Sequence, residues 1–216
     1  MIRAIFLDVD GTLISFSTHE IPASARRALT QAHERGVRLF IATGRAANDL
    51  GPLEGIPYDG VVSLNGARCV ANDGRVVSLH PIPRADFERA LALSEEQDFA
   101  MGLELEEGVF VNRVTPDVKR VAHMVAHPVP EQTDLRELFG RVECCQLCFY
   151  FDAETQRRVM AELPTLVASR WCPIFPPRHP ARLAHAPGIG EVMRTYGLPA
   201  APGSAVCALR HRPGDA

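Results

Sequence analysis

The sequence lacks most of what would place a protein in a membrane, on nucleic acid or outside the cell. No apolar run in its 216 residues approaches the ~20 that a membrane-crossing helix needs. Met1-Ile2-Arg3 leads into a short apolar run, Ala4-Ile5-Phe6-Leu7, and acidic Asp8 follows at once. That run is too short for the apolar region of a signal sequence, and no small-residue cleavage site follows it. The expected compartment is the cytoplasm, with no membrane partner. Neither sign of charge is in excess: a formal net charge of -3 gives no electrostatic case for nucleic acid or an anionic surface. Lysine is nearly absent, occurring only as Lys119, while arginine is common; we read this as a base-composition bias of the source genome. There are six cysteines, Cys69, Cys144, Cys145, Cys148, Cys172 and Cys207. Without an export signal, disulfides are not expected. Cys144-Cys145-x-x-Cys148 is the only cluster, and no second ligand pair stands at a zinc-like spacing. It reads as small apolar residues on a strand. Internal repeats are also missing.

What is present is an ordinary globular balance, 46% hydrophobic and 23% charged. The length suits one large domain, or a core with a modest insertion. Arg3 to Leu7 reads as a short buried strand that ends in a carboxylate. Pro22 stands at the first position of a helix, where its missing N–H costs nothing. Ala25, Leu29 and Ala32 follow at helical spacing, and Gly36 is a left-handed cap. Val37 to Ala42 is a second apolar strand, running through Thr43-Gly44-Arg45 into another helical segment. Strand, helix, strand, helix predicts a parallel sheet with right-handed crossovers. Val61 to Leu64 is a third strand. Arg68 to Val70 and Arg75 to Leu79 form a hairpin around Asn72-Asp73-Gly74.

The pattern changes near Pro81-Ile82-Pro83. Beyond it come a helix to Asp98, strands at Ala100 to Leu105 and Val109 to Asn112, and a helix from Pro116 to Ala126. A Cys-rich strand (Glu143 to Phe151), a helix (Ala153 to Glu162) and extended pieces at Leu166 to Trp171 and Ile174 to Phe175 complete this section. Strands and helices that do not strictly alternate suggest an α+β domain. Gly188 to Tyr196 is a helix stopped by Gly197 and Pro199. Ala200 to Ala216 has no convincing period.

In an open parallel sheet, ligands bind beyond the carboxyl ends of the strands. Asp8 and Thr43 stand at two such ends. Asp8 and Asp10 lie two apart with Gly11 and Thr12 following, so the chain leaving the strand can turn both carboxylates toward one point. One can attack phosphorus or share a hard cation such as Mg²⁺. The other can serve as general acid, then as base to water. Gly11 permits close approach of backbone N–H groups to an anion.

Asp8-Val9-Asp10-Gly11-Thr12-Leu13 after an apolar strand resembles the first signature of the haloacid dehalogenase superfamily. Ile41-Ala42-Thr43-Gly44-Arg45 resembles the second, and Ser63-Leu64-Asn65-Gly66-Ala67 resembles the Asn-Gly segment of the Cof-like branch. Gly188-Ile189-Gly190-Glu191-Val192-Met193 with Tyr196-Gly197-Leu198 resembles the helix that re-enters the core. The resemblance implies an α/β fold: a Rossmann-like core over residues 1–83 and 181–216, with an inserted α+β cap over 84–180 that closes over the site. It implies Asp8 as nucleophile, Asp10 as general acid/base, and both as holders of Mg²⁺. Gly11, Thr12, Thr43, Gly44 and Asn65 are implied as phosphate-binding residues. The substrate would be a small phosphorylated metabolite, sugar phosphates first.

The sequence departs from the family in two places. The third-signature lysine is replaced at the aligned position by His185, a weaker cation at neutral pH that we place among the phosphate-binding candidates, with Arg182 nearby. The fourth signature, an acidic segment on the next strand, has no counterpart in Ala200 to Ala216; Asp215 follows a glycine with no apolar strand leading to it. A truncated or frameshifted reading frame is the expected explanation. A core sheet short of strands would expose an edge, so homodimerisation is expected. The departures also motivate a second hypothesis, a catalytically impaired relative that binds a phosphorylated ligand or protein partner without turnover. A mutase-like phosphotransferase would share Asp8 and differ in its acceptor.

Plainer readings stand beside these. Thr43-Gly44 can be a helix N-cap, and Asn65-Gly66 an ordinary turn pair. His123 and His127, four apart on a helix, have a zinc-compatible spacing but no accompanying Glu or third ligand. The Arg-rich segments at 84–89 and 178–182 read as solvated faces.

Overall fold

The computed structural model describes residues 2–15, 18, 20–48, 50–124, 127–170, 178–184, 188–198 and 205–208. The chain divides into two compact units, Met1–Leu79 with Ala186–Ala216, and His80–His185.

The first unit is built on β1 (Ala4–Leu7), β2 (Arg38–Ala42) and β3 (Gly60–Ser63), which run parallel. Leu7 lies opposite Ile41, and Ile41 opposite Val61, so the three strands end nearly level. Their runs are continuously apolar because both faces of the sheet are covered. Leu39 and Ile41 join Leu7, Val61 and Leu29 of α1 (Ala23–Glu34) on one face. Phe40 and Ala42 join Phe6, Val62 and Cys69 on the other. The hairpin of β4 (Arg68–Ala71) and β5 (Val76–Leu79) extends the sheet antiparallel, turning at Gly74 with φ 84°. Pro22 is the N-cap with extended ψ (139°) rather than the first helical residue, and Gly36 takes the expected left-handed conformation, φ 82°.

The expected helix after β2 does not form among the described residues. The chain bends at Gly44 and Arg45 and makes only a 3₁₀ turn at Gly51–Leu53. Thr43 is therefore not a helix N-cap; its polar atoms have other partners, described below.

The second unit contains α2 (Arg84–Glu96), β6 (Ala100–Leu105), β7 (Gly108–Val111), α3 (Pro116–Met124), β8 (Glu131–Gln132), α4 (Leu135–Phe139), β9 (Gln146–Asp152), α5 (Ala153–Glu162), β10 (Val167–Arg170) and β11 (Arg178–Ala184). Its sheet has the order β10-β11-β9-β6-β7-β8. Met101, Leu103, Leu147, Phe149 and Phe151 alternate onto one face, where they meet Phe87 of α2, Leu135 of α4 and Val159 of α5. Ala100, Val111 and Tyr150 face Val118 of α3 on the other.

Several expectations need correction here. β11 (Arg178–Ala184) is a strand absent from the expected elements, and it pairs antiparallel with both β9 and β10. β8 and α4 fall between the expected Pro116 to Ala126 helix and the Cys-rich strand, where no element was expected; Asp134 caps α4 by accepting from the N–H groups of Arg136 and Glu137. The Cys-rich strand begins at Gln146, so Cys144 and Cys145 precede it. α3 ends at Met124, which leaves His127 outside the helix that was to pair it with His123. Ile174 to Phe175 lie outside the described residues.

The chain returns to the first unit with α6 (Gly188–Thr195), whose Val192 packs on the Phe40 face, and β12 (Ala205–Ala208). β12 pairs parallel with β1, Ala4 opposite Ala205 and Leu7 opposite Ala208. The stretch without a convincing period thus supplies a strand, and the sheet order is β12-β1-β2-β3-β4-β5. With α1 on one face and α6 on the other, the unit is an α/β layered sheet of the doubly wound kind.

Candidate active site

Three loops leave the carboxyl ends of β1, β2 and β3. The first curls tightly: the Leu13 N–H donates to the Asp8 carbonyl at 3.2 Å, Ile14 to Val9 at 2.9 Å, and Gly11 to Ile14 at 2.8 Å. Gly11 has φ 80°, a conformation that favours glycine. Its N–H is engaged within the turn, so its visible contribution is to bend the chain directly after Asp10. The Thr12 hydroxyl donates to Asp8 Oδ2 at 3.1 Å, tying the side chain of Asp8 to its own turn.

The second loop meets the first through an ion pair. Arg45 Nε donates to Asp10 Oδ2 at 3.0 Å, and Arg45 Nη2 to Asp10 Oδ1 at 2.7 Å. This is a bidentate fork on a carboxylate, the stronger kind of charge-assisted hydrogen bond. Both side chains are mostly sheltered, Arg45 23% and Asp10 18% exposed, so solvent screens the pair less than a surface bridge. Sequence reasoning quoted Arg45 within the second motif and gave it no role. The available signal was that Arg45 is the one cation in the three motif segments around 8–13, 41–45 and 63–67.

Thr43 is buried, and its N–H donates to the Val62 carbonyl at 2.8 Å. Its Oγ1 accepts from the Arg45 N–H at 3.1 Å, which leaves the hydroxyl proton to donate elsewhere. The third loop closes on the second: the Asn65 N–H donates to the Thr43 carbonyl and the Leu64 N–H to the Arg45 carbonyl, each at 3.1 Å. Gly44 is the bend between those two carbonyls. Asp8, Asp10, Gly11, Thr12, Thr43, Gly44 and Asn65 are therefore gathered at one end of the sheet. His185 and Asp215 lie outside the described residues, as does the side chain of Arg182.

Asp8 offers carboxylate oxygens and Asp10 its backbone carbonyl, oxygen donors of the kind Mg²⁺ takes, and this ion is often held by one or two carboxylates with water and phosphate oxygens completing the shell. Among the described residues no group of three or more His, Cys, Asp or Glu could hold a metal. No helix among them is long and apolar enough to cross a membrane.

The first unit is thus a layered α/β sheet with two aspartates after its first strand and a Thr-Gly-Arg turn after its second. Residues 5–176 match the haloacid dehalogenase-like hydrolase family, and the chain belongs to that family. It is similar to BT1666 from Bacteroides thetaiotaomicron, among the phosphatases of the haloalkanoate (HAD) superfamily. That pair is 46% identical with a TM-score of 0.85, over 91% of this chain and 74% of the other. It is also similar to BT4131, a HAD subclass IIB sugar phosphatase, at 28% identity and a TM-score of 0.78, over 91% of this chain and 77% of the other. A further structure, from work on a trigonal-bipyramidal intermediate in a phosphoryl-transfer superfamily, is 27% identical with a TM-score of 0.78, over 92% of this chain and 77% of that one.

Proposed function

We propose that the protein is a Mg²⁺-dependent phosphomonoester hydrolase that acts on a small phosphorylated metabolite through an aspartyl-phosphate on Asp8. The observation that carries this reading is the Arg45–Asp10 fork, which joins the loop bearing both carboxylates to the loop bearing Thr43. An Asp8 carboxylate oxygen attacks phosphorus, and the bond from phosphorus to the ester oxygen breaks. Asp10, once it holds a proton on the oxygen turned away from Arg45, gives that proton to the leaving oxygen. Water then attacks the phosphorus of the acyl phosphate, Asp10 takes a proton from it, and the bond to Asp8 breaks to release inorganic phosphate. For each transfer one oxygen of Asp10 must turn from Arg45 to the reacting oxygen. The Thr43 hydroxyl donates to a phosphoryl oxygen, with Asn65 lining the same end of the sheet. Asp8 and Asp10 would hold Mg²⁺, which supplies charge neutralisation on the phosphoryl group.

By the same family resemblance we assign residues 84–180 to an inserted cap domain. Similarity to BT4131 makes sugar phosphates the first substrates to assay. A second reading, ligand binding without turnover, has one observation in its favour: position 185 is a histidine, and Lys119, in α3, is the only lysine of the chain.

The test is hydrolysis of a generic phosphomonoester and of a sugar-phosphate panel with Mg²⁺. Asp8→Asn is expected to lower kcat by about 10⁴-fold or more, as loss of a covalent nucleophile does. Turnover that survives Asp8→Asn sinks the proposed mechanism. Wild-type binding of orthovanadate without turnover of any monoester supports the second reading.

A further inference from the structure

Three successive residues after β3 have left-handed backbones: Leu64 at φ 49°, Asn65 at φ 55° and Gly66 at φ 94°. Only the last is a glycine. Leu64 is a bulky, buried side chain in a region that such residues avoid. Strain of this kind persists only where the surroundings over-determine it, and it clusters at functional sites. On one side the arch is held by the second loop, through the Leu64 and Asn65 N–H groups on the carbonyls of Arg45 and Thr43. On the other side stands the first residue of α6. A Cβ placed on Gly188 would lie 2.7 Å from Gly66 Cα, 2.7 Å from the Gly66 carbonyl oxygen and 2.8 Å from Val62 Cγ1. Real Cβ atoms do not approach so closely, and the Gly66 atoms are backbone that cannot swing aside. The Cys69 thiol donates to the Gly188 carbonyl at 3.6 Å, which fixes the helix start against β4.

We propose that Gly188 is a positioning residue for the phosphoryl site: by presenting bare backbone to Gly66 it wedges the Leu64–Gly66 arch against the Thr43–Arg45 turn, and so fixes Thr43 and, through Arg45, Asp10. The inference deepens the hydrolase reading and rests on it for its catalytic consequence. Gly188 touches no reacting atom and acts through the arch. α6 thereby bears on the site through the backbone of its first residue, Gly188.

The experiment compares the full-length wild type, Gly188→Ala and Val192→Ala. The last removes buried volume from the same helix without adding an atom at Gly66. Amide hydrogen exchange of Leu64 and Asn65 is expected to speed up by about 10-fold or more in Gly188→Ala relative to Val192→Ala, with Leu39 and Ile41 of β2 as internal references. In phosphomonoester turnover, kcat of folded Gly188→Ala is expected to drop by about 10-fold or more while KM stays within about threefold, and Val192→Ala is expected to keep the wild-type kcat. Unchanged protection of Leu64 and Asn65, or an unchanged kcat, overturns the proposal. If the wild type turns over no monoester, the hydrolase reading fails by itself and the exchange comparison still decides whether Gly188 holds the arch. If Gly188→Ala does not fold, native-state exchange of the wild type decides. Leu64 and Asn65 are expected to open in the same event as Tyr196 and Leu198, whose amides bond back into α6. Opening of the arch about 10-fold faster than α6 would refute the coupling.

Discussion

Both oxygens of Asp10 accept from the fork of Arg45, so removing the guanidinium strips a sheltered carboxylate of two charge-assisted hydrogen bonds. Hydrogen bonds to charged groups contribute roughly 1.5–3 kcal/mol, which corresponds to about one to two decades in rate if the geometry serves the transition state. Arg45→Ala is therefore expected to lower kcat/KM by about 10- to 100-fold. Arg45→Lys keeps the charge without the planar fork and is expected to recover only part of that loss. Steady-state kinetics of the three proteins decide it, and equal rates in Arg45→Ala and the wild type would remove Arg45 from the site. Asp8 and Thr43 were legible as candidates because each directly follows an apolar strand run, at the end of an open parallel sheet where ligands bind, and Asp10 because it stands two residues after Asp8. Arg45 was not, because its role depends on reaching across to a residue 35 positions earlier, and no local pattern encodes that reach.

At the scale of elements, legibility followed how far an element depends on its own residues. β1, β2 and β3 carry uninterrupted apolar runs, and α5 carries its own start signal: the Asp152 carboxylate accepts from the Thr155 N–H at 2.8 Å. Asp152→Ala is expected to cost about 1 kcal/mol of stability, and Asp152→Asn a few tenths, as a lost and a conserved N-cap do. Urea denaturation checks this, and an Asp152→Ala protein as stable as the wild type would show that packing alone holds α5. β11 is the opposite case. Arg178-His179-Pro180-Ala181-Arg182 has no apolar alternation, and its strand geometry comes from pairing with β9 and β10. Pro180 is tolerated there because it lies outside the span Ala181–Ala184 that pairs with β10. β12 is similar, a short Ala-Val-Cys-Ala run between Gly/Pro-rich segments that becomes a strand by docking on β1. The missing helix after Thr43 shows the converse. Arg45, Ala46 and Ala47 are good helix formers, but the Thr43 and Arg45 carbonyls that would have opened a helix accept instead from Asn65 and Leu64.

Across the whole molecule, burial of groups that ionise at high pH sets a limit on stability. Burial pushes the Cys144 thiol up from 9.0 to about 12, and the nearby Cys145 and Glu104 add to the rise. Burial also raises Cys69 and, helped by the charge of Asp59, Tyr196. Cys144 and Cys69 lie in different units, so both cores share the dependence. Each group is neutral when protonated, and each holds its proton to higher pH in the folded chain than in the unfolded one. The folded state then binds more protons over that window, so stability falls as pH rises. For Cys144 the contribution is fully present below pH 9.0 and is lost as pH climbs toward about 12. The melting temperature is therefore expected to decline steadily above pH 9.0. Cys144→Ala is expected to start lower, because it opens a small cavity, and to decline less steeply, because one of the titrating groups is gone. The slopes, not the absolute melting temperatures, carry the comparison. Equal slopes for the two proteins would mean that Cys144 ionises in the folded state as readily as in the unfolded one, against its burial. Iodoacetamide gives an independent check: at pH 8 the native thiol should stay unmodified while the urea-unfolded chain reacts, since the thiolate is the nucleophile and the folded core withholds it.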